Sequence, residues 1–117
     1  MTGKSEYLLA IYIEENRVSP PVSFGRIAEL LDRSPATVTE MCQRLDDENL
    51  VDHEPYEGVT LTDDGRDAAA AHHETYVILS WFFRSVLDLD EYEREAMEMA
   101  GTISPDVASR LAATLPY

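Results

Sequence analysis

The segment SPATVTEMCQRLDDENL, residues 34–50, carries polar side chains at the spacing of one helix face. Ser34 followed by Pro35 indicates the start of this helix, since serine caps free N–H groups and proline fits the first helical position. The side chains on the outward face are of types that make hydrogen bonds and methyl contacts with base edges in the DNA major groove. They are Ala36, Thr37, Thr39, Glu40, Gln43 and Arg44.

Each of these residue types has its own chemistry with DNA. The methyl groups of alanine and threonine contact thymine, the Glu40 carboxylate accepts a hydrogen bond from cytosine, and the Gln43 amide can pair with adenine. Arg26 and Arg44 are expected to bind phosphate groups, and Ser34 can donate to a phosphate at the helix N-terminus. The alternative is a polar face that is simply solvated.

The neighbouring segments predict a winged helix-turn-helix domain over residues 1–61. A first helix is expected over residues 3–16, a second helix starts after Ser23, and a tight connection leads to the third helix. Two extended segments with a turn at Glu57–Gly58 then predict a β-hairpin wing. Glu57 stands where a basic side chain would help to bind the DNA backbone. The buried side of the third helix is predicted to consist of Val38, Met41, Cys42 and Leu45.

Three more helices are predicted after the hairpin, so the fold class is mainly α. Thr62 caps a long helix, the sequence DLD at 88–90 interrupts the pattern, and Gly101 ends the next helix. A second Ser-Pro pair, at Ser104, starts the last helix. Residues 62–117 are expected to form an α-helical dimerisation domain, because they are more apolar than a monomer of this size needs; ordinary internal packing is the alternative. The apolar side chains are Tyr76, Leu79, Phe83, Val86, Leu111 and Leu115.

The chain is strongly acidic, with 23 acidic and nine basic residues among 117 and a formal net charge of −14. Its aromatic and aliphatic residues lie at helical spacings, which distinguishes it from a disordered acidic chain. Acidic residues spread along the whole sequence, with a single lysine, are typical of a halophilic protein in a cytoplasm with molar salt. At about 1 M salt the Debye length is only ~3 Å, so repulsion between this chain and DNA would be largely screened.

The sequence predicts a cytoplasmic protein with no membrane segment. Its first residues lack the basic region and apolar run of a signal peptide, and the apolar stretch at 76–83 is too short to span a bilayer. Cys42 is the single cysteine, so no internal disulfide can form. Its place on the buried side of the third helix favours an inert core thiol over a redox switch. No glycine-rich phosphate loop, nucleophile elbow or CxxC motif indicates an enzyme.

Three segments resemble the diphtheria-toxin-repressor family of metal-dependent transcription regulators, the DtxR/MntR type. They are EYLLAIY near the start, IAELLDRSPATVTEMCQRLDDENLVDHEPYEGVTLTDDG at 27–65, and SPDVASRL at 104–111. The match is nearly ungapped over residues 6–66 and looser afterwards. The resemblance implies a repressor that binds palindromic operators as a homodimer when Fe²⁺ or Mn²⁺ fills sites between the domains. Longer members carry an SH3-like third domain, so this chain is expected to be a short form.

The resemblance also implies a set of metal ligands, of which only part is present. Glu6 occupies the ligand position of the first helix, and Met97 falls on a position that is Cys, Met or Glu in the family. Glu93 falls on a ligand position of the ancillary site. His72 and His73 approximate the family histidine.

The family's Glu-His ligand pair reads Ala100-Gly101 in this sequence. Neither residue offers a donor atom, and Fe²⁺ and Mn²⁺ generally take five or six nitrogen or oxygen ligands. Water or Glu98 would have to complete the set. We therefore expect the DNA-binding scaffold to be kept and its metal control to be lost or rebuilt. Mn²⁺ or Fe²⁺ as a corepressor is the alternative.

Two other interpretations concern the helices after the wing. His72 and His73 could bind zinc or respond to pH, but adjacent residues on a helix do not share a face. His72 shares a face with Tyr76 and is expected to be a packed side chain rather than a ligand. The second functional class left open is a winged-helix protein-interaction module that does not bind DNA and uses its apolar C-terminal helices to bind a protein partner.

Overall fold

Six helices and one antiparallel β-hairpin make up the computed structural model, which describes residues 3–114 of the chain. This is the mainly α, winged helix-turn-helix architecture that the sequence predicts. The elements are α1 Lys4–Glu15, α2 Phe24–Leu31, α3 Pro35–Asp47, β1 Val51–Glu54, β2 Gly58–Leu61, α4 Asp63–Ser85, α5 Tyr92–Ala100 and α6 Pro105–Thr114.

Hydroxyl side chains cap four of the helices, as the sequence predicts. Each accepts a hydrogen bond from the backbone N–H three residues later; the caps are Ser23, Ser34, Thr62 and Ser104, with distances of 3.2, 3.2, 3.0 and 3.2 Å. Each cap satisfies one N–H group that the first helical turn leaves without a partner. The starts of α2, α3, α4 and α6 are therefore determined by local sequence.

The wing is a hairpin in which Val51 lies opposite Leu61 and Glu54 lies opposite Gly58. The turn consists of residues 55–57, so the predicted turn at Glu57–Gly58 is wrong by one position.

Close backbone contact explains why a glycine is needed inside the strand rather than in the turn. Gly58 has a φ of 144°, and a Cβ atom there would lie 2.0 Å from the carbonyl oxygen of Val22. The backbone of Val22 exchanges two hydrogen bonds with Val59, of 2.8 and 3.0 Å. The wing is thus attached to the segment that precedes α2, and any larger residue at 58 would separate them.

Helix α1 is buried on two sides. Every residue from Tyr7 to Ile11 is buried. Tyr7, Leu8 and Ile11 pack in the core of the winged helix-turn-helix. Leu9 packs in a second apolar cluster that α4 and α5 also form. Helix α1 is therefore the element that joins the DNA-binding fold to the C-terminal helices.

The C-terminal helices bury part of the apolar surface that the sequence assigns to dimerisation. Leu79 and Phe83 are buried inside the chain, whereas Val86 remains half exposed. Leu115 lies outside the described residues.

No helix within residues 3–114 combines the length and the apolar character needed to cross a bilayer. The division of the chain at residue 61 remains a prediction, with β2 ending at Leu61 and α4 beginning at Asp63.

Two carboxylates at the end of α1 connect it to three other elements. Glu14, whose side chain is only 3% exposed, pairs with Arg26 of α2 at 3.1 Å. Glu15 accepts a hydrogen bond of 2.8 Å from the backbone N–H of Leu61 in β2 and one of 3.3 Å from Arg66 in α4. These bonds set the position of the wing relative to α1 and α4.

Replacing Glu15 tests this connection. Glu15→Ala is expected to lower the free energy of unfolding by about 1–3 kcal/mol, because the backbone N–H of Leu61 loses its acceptor. Equilibrium urea unfolding measures the change. Asp63→Asn is the matched control, since Asp63 pairs with the same Arg66 at 3.6 Å but is fully exposed. Equal losses in the two variants would contradict the role assigned to Glu15.

Candidate nucleic-acid interface

Helix α3 has one buried side and one exposed side. Val38, Cys42 and Leu45 are fully buried in the core, and Met41 packs against them. The six side chains predicted to contact DNA are all exposed: Ala36, Thr37, Thr39, Glu40, Gln43 and Arg44. The structure thus places these six on one continuous polar face, on the second helix of a helix-turn-helix pair. In such folds this is the helix that enters the major groove.

Local hydrogen bonds order the hydroxyl groups of the first turn of α3. The Ser34 hydroxyl accepts from the backbone N–H of Thr37 and donates to the Thr37 hydroxyl at 2.8 Å. The Thr39 hydroxyl donates to the carbonyl oxygen of Pro35 at 2.9 Å. These bonds satisfy the hydroxyl protons of Ser34 and Thr39 within the helix. Thr39 therefore offers DNA its methyl group, and Ser34 can donate to a phosphate only by releasing Thr37.

The two arginines predicted to bind phosphate differ in the ion pairs that they form within the chain. Arg26 forms ion pairs with Glu14 at 3.1 Å and with Glu29 at 3.3 Å. The hydrogen bond and charge of Glu14 raise the pKa of Arg26. Arg44 is exposed and forms no ion pair with any residue between 3 and 114. Of the two predicted phosphate ligands, Arg44 is therefore the one whose donors are available.

The wing presents acidic and aromatic groups rather than cations. Glu54 and Glu57 lie on either side of its tip, and a hydrogen bond from Glu57 raises the pKa of Glu54. Tyr56, between them, is fully exposed and has a φ of 67°. With Glu40 on α3, these carboxylates make the DNA-facing side locally negative. Salt that screens the repulsion would favour binding to DNA.

The structure brings only two of the five predicted metal ligands to one cavity. Glu6 and Met97 line one cavity of about 70 Å³ at the junction of α1, the α2–α3 turn and α5. His73 packs elsewhere, with its ring 5.2 Å from that of Tyr12. Glu93 is exposed on α5. Within residues 3–114, no group of three or more His, Cys, Asp or Glu side chains is placed to hold a metal ion.

Both histidines of the pair are half-buried. The His73 ring lies between two tyrosine rings, with its centroid 5.2 Å from that of Tyr12 and 5.9 Å from that of Tyr76. His73 therefore connects α4 to α1 by aromatic contact. The packing expected of His72 stays a prediction.

Close packing occupies the position of the missing Glu-His pair. Ala100 is buried in the apolar cluster that contains Leu9. A Cβ atom on Gly101 would lie 2.5 Å from the Ser5 Cβ and 2.9 Å from its hydroxyl oxygen. Any larger side chain at position 101 would have to displace Ser5 of α1. The residues present therefore do not fit a divalent metal at this junction.

The same junction contains two arginines that the sequence analysis missed. Arg33 and Arg94 line the cavity beside Glu6, together with Glu98. Arg33 lies in the helix-turn-helix turn, where a charged residue is expected to be solvated. No periodicity in the sequence connects it with Arg94, which lies 61 positions later on α5.

Cys42 has the environment of a core thiol. It is fully buried on the inner side of α3. Burial raises the pKa of its thiol to about 12. The thiolate is the reactive form of cysteine, so this environment favours the inert thiol over the redox switch.

A three-helix core, a hairpin wing and an exposed polar face on the second helix of the motif define a DNA-binding transcription regulator of the winged helix-turn-helix class. The family described as iron dependent repressor, N-terminal DNA binding domain, matches residues 1–59. An uncharacterised HTH-type transcriptional regulator of Methanocaldococcus jannaschii is 31% identical over 108 residues, which are 91% of this chain and 86% of the relative. The chain belongs to the iron-dependent repressor family.

Solved structures agree with this assignment. A manganese-dependent transcriptional repressor in complex with manganese has a TM-score of 0.83 and 31% identity, covering 95% of this chain and 51% of that one. The manganese regulator SloR has a TM-score of 0.79 and 29% identity, covering 97% and 54%. The chain thus spans about half the length of these two structures. The relatives that are named by role are transcription regulators.

Proposed function

We propose that this chain is a transcriptional repressor that binds a palindromic DNA operator as a homodimer in the cytoplasm. The observation that supports this most directly is the exposed polar face of α3. Its first turn is capped by Ser34 and its side chains match the types that read base edges. Residues Ala36 to Arg44 would lie in the major groove, with Arg44 on a phosphate and Glu40 on a cytosine.

Exposed apolar residues in the connection between α4 and α5 support the dimer. Val86, Leu87 and Leu89 are each between 42% and 52% exposed. Leu89 lines a shallow groove with Phe83 and Met99. Monomeric proteins seldom leave such patches in water, and a helix-turn-helix dimer reads two half-sites one helical turn apart. A second copy of the chain packed here would present two α3 helices to one palindrome.

The acidic wing and α3 favour a second candidate, a protein-interaction module that does not bind DNA. The carboxylates of Glu40, Glu54 and Glu57 would repel phosphates in dilute buffer. Under this alternative the exposed apolar side chains of α4 and α5 bind a different protein. Absence of saturable binding to any duplex in molar KCl, with recovery of a stoichiometric heteromeric complex, would support it.

Substitutions on α3 test the assigned DNA contacts. Selection from random duplexes in molar KCl with Mn²⁺ present would first identify the operator. Thr37→Ala and Glu40→Ala are expected to relax base preference at defined positions, each removing about 1–3 kcal/mol of discrimination. Arg44→Ala is expected to weaken binding to all sequences alike and to reduce the salt-dependence slope by about 1.

Fluorescence anisotropy across a set of operator variants measures both effects. Arg110→Ala is the control, because Arg110 is an exposed arginine on α6 that pairs with Asp106 in the same helix. Unchanged base preference in the Thr37 and Glu40 variants would contradict the proposed placement of α3.

A charged substitution in the exposed apolar patch tests the dimer. Leu89→Asp is expected to raise the dimer dissociation constant at least about tenfold, since it places a carboxylate in the proposed interface. Val18→Asp is the matched control: Val18 is 49% exposed but lies in the loop between α1 and α2. Sedimentation velocity over a range of protein concentrations gives the dissociation constants. A monomeric wild-type chain, or equal weakening by both substitutions, would contradict this interface.

A further inference from the structure

The cavity at the junction of α1, the α2–α3 turn and α5 has a balanced set of charges. Its lining includes two carboxylates, of Glu6 and Glu98, and two guanidinium groups, of Arg33 and Arg94. Apolar side chains complete it, so the charged groups face a small space of about 70 Å³. A space of this size holds a few water molecules.

Among these four charged side chains, the carboxylate of Glu6 most requires a positive charge beside it. It is only 7% exposed, and a buried carboxylate is costly unless a cation or hydrogen bonds compensate for its desolvation. Arg33 lines the same cavity as Glu6 and Glu98. Arg33 thus supplies positive charge to a carboxylate that is almost removed from water.

Arg94 connects the same cavity to the helix-turn-helix turn. Its guanidinium lies 3.8 Å from the carboxylate of Asp32. Asp32 ends α2 in the left-handed conformation, with a φ of 53°, and Ser34 caps α3 two residues later. The turn that directs α3 is therefore flanked by an arginine from α5, while Arg33 from the turn itself faces α1.

We propose that Arg33 and Arg94 are the resident cations of this junction, holding the helix-turn-helix turn against α1 and α5 without a divalent metal. Arginine stays protonated at every physiological pH, so this charge is permanent and does not depend on metal supply. The two guanidinium groups balance the carboxylates of Glu6 and Glu98, so a divalent cation entering the cavity would gain no net attraction from its lining. The contact between Gly101 and Ser5 keeps α5 close to α1 in the same arrangement.

This inference rests on the proposed function, because it concerns how α3 is positioned for DNA. The two arginines are positioning residues, and they do not replace the side chains of α3 that would contact bases. In this account the DNA-binding arrangement is the permanent structure of the chain, and control of repression does not pass through Mn²⁺ or Fe²⁺.

Thermal unfolding of the DNA-free chain tests the proposal at the lowest KCl concentration that keeps the wild type folded. MnCl₂ is compared with MgCl₂ at the same concentrations, which separates a specific site from general screening of an acidic protein. The wild-type Tm is expected to be the same in both salts. The variant Arg33→Gln/Arg94→Gln is expected to unfold about 3 °C or more below Arg110→Gln, the control for an exposed ion pair within one helix.

A saturable rise in the wild-type Tm with Mn²⁺ but not Mg²⁺ would overturn the proposal, as would a double variant within about 1 °C of Arg110→Gln. If the double variant fails to fold, isothermal titration calorimetry of the wild type with MnCl₂ provides the test. Saturable heat would overturn it, and heat of dilution alone would support it. None of these measurements uses DNA, so failure of the proposed function would be seen separately, in the anisotropy experiments on α3.

Discussion

Helix α1 packs against both halves of the molecule, and the other features depend on this double burial. Five successive buried residues, from Tyr7 to Ile11, contribute to two separate apolar clusters. Residues on opposite faces of one helix move together, so the winged motif and the C-terminal helices share one rigid element. Glu15 extends the connection to the wing through the backbone N–H of Leu61, and Glu14 extends it to α2 through Arg26.

The proposed metal-independent control follows from this arrangement. Leu9 and Ala100 supply apolar contact between α1 and α5, and Arg33 lines the cavity beside Glu6. The acidic surface has a related consequence. In the proposed complex with DNA, Arg44 is the available phosphate ligand on α3. Counterion release would then contribute little to affinity, and base contacts and screening by salt would contribute more.

Local signals predicted most of the fold and the exposed polar face of α3. Ser-Pro at the start of α3 and the alternation of apolar and polar residues along it determine both its bounds and its exposed side. The roles of Glu14 and Glu15 could not be predicted in this way, because charged residues on a helix are normally solvated and these two are used in tertiary contacts. The run YLLAI did carry a signal, since a helix that is apolar on all sides is normally buried on all sides. The prediction places the wing turn one position too late, because it assigns Gly58 to the turn. Gly58 is instead required in β2 by its close contact with Val22, and no local sequence pattern contains that contact.

The most direct test of this account is fluorescence anisotropy on duplexes from upstream of the chain's own gene, in molar KCl with a chelator, followed by titration of Mn²⁺. The account predicts saturable binding in the presence of the chelator, with less than about a twofold change in Kd when Mn²⁺ is added. Binding that is absent with the chelator and appears with Mn²⁺ would contradict it, because the junction would then need a metal ion to position α3.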